Sequence, residues 1–158
     1  MVYPVLKCIF FYVERNKKII FPNPCRGDNF RDLFQNCYIQ MNAAMVRKIC
    51  FEKVGLFRQI SLCDDYDLWL RITRCFKHKG INEPLAIYRR HRNNMSSDVI
   101  CLNSNTTETL KNVIPDSSLG VNARIKQEHI GRLHYLLALE YIERKDFISA
   151  SREFLRAC

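Results

Sequence analysis

The stretch Asp64-Asp65-Tyr66-Asp67-Leu68-Trp69-Leu70-Arg71-Ile72-Thr73-Arg74-Cys75-Phe76 has the strongest periodicity in the chain. Asp65, Leu68, Trp69, Ile72, Cys75 and Phe76 fall on one face at helical spacing, and three aspartates crowd the end where the helix dipole is positive. The pattern predicts a helix over 64–76 with Asp65 at the inward edge of its first turn. Residues 80–88 then alternate as a strand that runs into Arg89-Arg90-His91 and the polar loop Asn93-Asn94-Met95-Ser96-Ser97. Clustered carboxylates ahead of a cationic, metal-capable cluster point to chemistry on a phosphorylated substrate.

Working outward, residues 5–22 read as a hairpin. Ile9 to Val13 and Ile19 to Phe21 are β-rich, Glu14 to Lys18 is a polar turn, and Pro22 and Pro24 end the second strand. Phe30, Leu33, Phe34 and Cys37 have helical spacing, and a second short helix, Val46 to Val54, stops at Gly55. Residues 39–44 are open to strand or loop. The Asn-, Thr- and Ser-rich stretch 103–120, with Pro115 and Gly120, reads as a connector in which Thr107 to Val113 is open to a helical turn. Ile125 to Glu143 and Phe147 to Ala157 keep a helical period around Arg144-Lys145-Asp146, which predicts an antiparallel helix pair.

The 158 residues, 47% of them hydrophobic and 26% charged, suffice for one ordinary domain with a buried core. The net charge of +9 is uneven: residues 1–100 hold 17 Lys and Arg against 9 Asp and Glu, while 101–158 hold 8 against 7. The positive field therefore belongs to the first two thirds, and it names only the sign of a partner. A recognition helix, a single-strand-binding motif and a stacking-aromatic motif are all missing, so no specific nucleic acid is expected. None of the eight cysteines forms a Cys-x-x-Cys or lies at zinc-ligand spacing from His78, His91, His129 or His134. They read as small buried hydrophobes of a reduced, cytoplasmic protein. The apolar start, Val2 to Val13, is broken by Lys7 and too short for a bilayer, which needs about 20 residues.

Asp64, Asp65 and Asp67 have an ordinary role open to them, capping and dipole complementarity, and spacing alone favours it. Asp65 departs from that role because it shares the face of Leu68, Trp69 and Ile72, where a carboxylate in a partly buried cleft suits a general base. Arg90 and Arg92 read as a solvated strand end. His91, as neutral imidazole, is a common ligand for a divalent metal.

Several of these segments, in order, resemble the acceptor half of family-2 glycosyltransferases. They are Val46-Arg47-Lys48, Phe51-Glu52-Lys53-Val54-Gly55-Leu56-Phe57, Asp64-Asp65-Tyr66-Asp67-Leu68-Trp69-Leu70-Arg71, Glu83-Pro84-Leu85-Ala86-Ile87-Tyr88-Arg89-Arg90-His91 and Asn94-Met95-Ser96. The resemblance covers roughly residues 5–98. It implies an α/β fold in which residues 1–100 form the C-terminal half of a GT-A domain; composition and periodicity make 101–122 a linker and 123–158 a helical hairpin. It also implies a nucleotide-sugar donor, a saccharide or lipid-linked acceptor, a divalent metal (Mg or Mn) and inversion at the anomeric carbon. By that resemblance Asp65 is the catalytic base, Asp64 and Trp69 line the acceptor site, Arg89 lies beside the diphosphate and His91 beside the metal. Family members place a nucleotide-binding βαβ half with an Asp-x-Asp motif before the hairpin of residues 5–22, and this chain has neither there. The expectation is a truncated enzyme that does not turn over alone.

The helix pair also resembles a tetratricopeptide repeat, through Leu137, Ala138, Tyr141, Ala150, Phe154 and Ala157 with Asp146 in the turn. An ordinary amphipathic hairpin explains these residues equally well. One repeat cannot bury its face alone, so a protein partner through the tail is an expectation. The glycosyltransferase resemblance separately implies association of the parent protein with a membrane face, with no segment here that inserts. Two rivals to the transferase follow: a non-catalytic interaction module with a decayed transferase core, and a basic binder of polyanions with steep salt dependence.

Overall fold

The computed structural model describes residues 2–12, 17–20, 30–58, 61–91 and 93–158. The chain divides into two compact units, residues 1–58 with 65–94 and residues 59–64 with 95–158.

The first unit contains strands β1 (Val2–Tyr12), β2 (Lys17–Ile20) and β3 (Lys77–Arg90), in the sheet order β2-β1-β3. β1 and β2 pair antiparallel, Ile9 opposite Ile20 and Tyr12 opposite Lys17, which is the hairpin expected from the sequence. The turn at 14–16 and the two prolines that follow lie outside the described residues. β1 pairs parallel with β3 from Val2 opposite Lys77 to Tyr12 opposite Arg90, with register shifts on either side of Lys7. Parallel neighbours need a long crossover. Here it carries α1 (Phe30–Gln35), α2 (Lys48–Val54) and α3 (Asp64–Cys75), with a 3-10 turn, Met41–Ala43, where the sequence left strand or loop open. β3 outruns the alternating stretch 80–88 at both ends, because its pairing with β1 continues beyond the alternation. Pro84 lacks a ladder donor, which an outer strand tolerates.

Phe30, Leu33, Phe34, Cys50, Leu68, Trp69, Leu70 and Ile72 are buried. The Tyr66 hydroxyl donates to the Phe34 carbonyl at 2.6 Å, tying α3 to the end of α1. Gly55 ends α2 at φ 82°, a left-handed value that disfavours a side chain, and its N–H donates to the Phe51 carbonyl at 2.8 Å. Cys50 and Cys63 are buried as expected, but Cys37, Cys75 and Cys158 are exposed.

In the second unit the supposed linker 101–122 is corrected. Most of it is helix: α4 spans Val99–Lys111, followed by a 3-10 turn, Ser117–Leu119, closed by an Asp116–Val121 bridge. The Asn and Thr residues disfavour a helix by themselves. Two features override them. Asp98 caps the start, accepting from Ile100 N–H at 3.1 Å and Cys101 N–H at 3.2 Å, and Thr107, Thr109 and Leu110 are buried. α4 packs against α5 (Ala123–Glu143), which packs against α6 (Phe147–Ala157). Lys126 Nζ donates to the Lys111 and Val113 carbonyls at 2.6 and 2.7 Å, serving the open end of α4.

Candidate functional site

The first turn of α3 gives its neighbouring aspartates different tasks. Asp67 is 7% exposed, and its carboxylate accepts from Arg71 Nε at 2.8 Å and faces Arg58 at 3.5 Å. The rest of the Arg71 guanidinium donates to the carbonyls of Val54, Gly55 and Leu56. Asp67 is therefore the anchor of an arginine that holds the end of α2 against α3, a task for which Arg's planar fork is suited. The (i, i+4) spacing of Asp67 and Arg71 was the sequence signal for this bond.

Asp65 is only partly buried, with Oδ1 accepting the Tyr66 N–H at 2.7 Å, and Asp64 is partly buried as well. Trp69, one turn after Asp65, is 4% exposed. Its indole is a core side chain here instead of the wall of an open cleft, and its Nε1 has no hydrogen-bond partner. A buried donor left unmet costs about 1–3 kcal/mol, so this nitrogen is an exception to the normal satisfaction of core polar groups.

Arg89 and His91 stand at the exposed C-terminal end of β3. Asn94 folds the following loop back onto it: Oδ1 accepts the His91 N–H at 2.6 Å, while Nδ2 donates to the Arg89 carbonyl at 3.2 Å and the Tyr88 hydroxyl at 3.3 Å. Divalent Mg or Mn needs several oxygen ligands together. Among the described residues no three His, Cys, Asp or Glu side chains gather into a group that could hold a metal ion.

Two buried polar pairs escaped the sequence reading. Tyr38 and His78 meet at 2.7 Å between Oη and Nε2, and His134 Nδ1 lies 2.6 Å from Glu153 Oε2. Each joins residues far apart in the chain, and neither has a local pattern to announce it. Among the described residues, no helix is long and apolar enough to cross a membrane. No protein-family model, curated protein or solved structure matches the chain.

Proposed function

We propose that this chain is the acceptor-side part of an inverting glycosyltransferase of GT-A type, acting with a nucleotide-binding half. The observation that carries the reading is the placement of Asp65 at the partly exposed edge of the first turn of α3, where an acceptor could reach its carboxylate. A carboxylate so placed suits a base for an acceptor hydroxyl. Asp65 takes the hydroxyl proton, the freed oxygen attacks the anomeric carbon from the face opposite the leaving group, and the nucleoside diphosphate departs with the bonding electron pair. Arg89 opposes the charge growing on that diphosphate, Asp64 borders the acceptor, and His91 lies on the metal side, while Trp69, enclosed in the core, supports α3 from behind. A divalent ion, Mg or Mn, would neutralise the diphosphate, with ligands drawn largely from the nucleotide-binding half. The setting is cytoplasmic, where nucleotide sugars are the donors.

The test is sugar transfer from a panel of nucleotide sugars by a parent polypeptide containing both halves. Asp65→Asn is expected to lower kcat by roughly 10²-fold or more with donor affinity unchanged. Retention of near-normal turnover overturns the assignment. A second reading, a non-catalytic interaction module, is favoured by the enclosed Trp69 and by exposed apolar residues on α5 and α6. It predicts no transfer with any donor.

A further inference from the structure

Helix α6 buries Glu153 and caps its own start with Asp146, which leaves apolar and basic side chains on its outer face. Ala150 and Glu153 of α6 are buried, and a Cβ on Gly131 of α5 would stand 2.9 Å from the Ala157 carbonyl oxygen. At the helical repeat, Ile148 and Leu155 lie on the opposite side of α6. They are 70% and 80% exposed, with Phe147 63% exposed beside them. Tyr135, Leu139 and Ile142 of α5, also exposed, extend the surface, since Tyr135 meets Phe154 edge to face at 5.8 Å. Exposed apolar residues are ordinary singly; a contiguous set marks a contact surface.

The charges select what covers it. Residues 144–158 contain Arg144, Lys145, Arg152 and Arg156 against Asp146 and Glu153. Asp146 accepts the Ser149 N–H at 3.1 Å as the cap of α6, and Glu153 is held by His134 and Arg156 at 2.6 Å each. The exposed side chains of α6 are thus Phe147, Ile148, Ser151, Arg152, Leu155 and Arg156, with no acid among them. A second copy is disfavoured: an antiparallel α6 pair that sets Ile148 against Leu155 brings Arg152 face to face with its own twofold mate.

We propose that this face docks onto an anionic lipid surface. Phe147, Ile148 and Leu155 enter the headgroup boundary, while Lys145 and Arg152 lie against lipid phosphates with their aliphatic stems along the apolar layer. This surface is independent of Asp65 and of the proposed transferase chemistry.

The experiment is sedimentation of the full chain with vesicles of pure phosphatidylcholine or of about three parts phosphatidylcholine to one part phosphatidylserine. The expected result is at least roughly fivefold more protein pelleting with the anionic vesicles, declining as salt is raised. The double substitution Ile148→Glu with Leu155→Glu should abolish the excess while the circular dichroism spectrum stays unchanged, because both sites are exposed. Equal pelleting with the two vesicle types, or an undiminished excess in the double variant, overturns the proposal. So does a concentration-dependent dimer in sedimentation equilibrium that the double variant dissociates, since the face then serves a second copy.

Discussion

His134 of α5 and Glu153 of α6 meet inside the second unit at 2.6 Å, and Arg156 holds the other carboxylate oxygen at 2.6 Å. The imidazole and carboxylate are 8% and 11% exposed, so the bond lies almost wholly out of water and fixes the register of one helix on the other. Buried pairs of this kind specify geometry more than they add stability, but removing one partner strands the other.

Glu153→Ala is expected to destabilise the second unit by about 2–3 kcal/mol, because it leaves His134 buried without its acceptor. The double change with His134→Ala should cost clearly less than the sum of the single changes, as direct partners couple. Urea unfolding of the four proteins of this cycle measures it. Strict additivity contradicts a shared bond.

Asp67→Ala and Asp65→Asn should separate in the same assay. Loss of Asp67 leaves Arg71 without its carboxylate and is expected to lower stability by about 2–4 kcal/mol, whereas Asp65→Asn should stay within about 1 kcal/mol of the parent. Arg71→Lys should lie close to Asp67→Ala, since an ammonium cannot reach the Val54, Gly55 and Leu56 carbonyls and Asp67 together. A larger loss at Asp65 than at Asp67 reverses the division of roles.

Gly131→Ala tests the close approach of α5 and α6. Alanine gains about 1 kcal/mol in helix propensity, but its Cβ would stand 2.9 Å from the Ala157 carbonyl oxygen, where backbone must move. A net loss of about 1–2 kcal/mol and a lower Tm are expected. A stabilised variant shows that the end of α6 yields freely.

His129 gives the second unit an acid-sensitive term. Burial first, and the neighbouring Arg132 second, lower its pKa below the ordinary value. The unfolded chain therefore binds the proton more readily, and stability is complete above about pH 6.5 and declines as pH falls below it. The urea midpoint should drop on acidification from about pH 7 to 5.5, and His129→Gln should remove part of that drop. Superimposable profiles for parent and variant contradict the assignment.

Much of the architecture was legible because it rests on local periodicity. The β1–β2 hairpin, α2 with Gly55 at its end, the helix beginning at Asp64, the strand around 80–88 and the α5–α6 pair each carry a repeat of two or 3.6 residues, or a turn residue with one conformational job. The parallel pairing of β1 with β3 left no local mark, since its partners lie about 75 residues apart. α4 was hidden for a related reason: Asn and Thr are poor helix formers, and only the Asp98 cap and the burial of Leu110 override them.

The candidate site divides the same way. Its sequence alone determined that three aspartates, one tryptophan and a basic strand end stand on successive elements, because residue identity and spacing are properties of the chain. Tertiary structure decided that Asp67 is held by Arg71, that Trp69 is enclosed with its Nε1 unmet, and that His134 and Glu153 join two helices. Burial and partnership depend on what distant segments bring to the same place, and a local pattern cannot encode that.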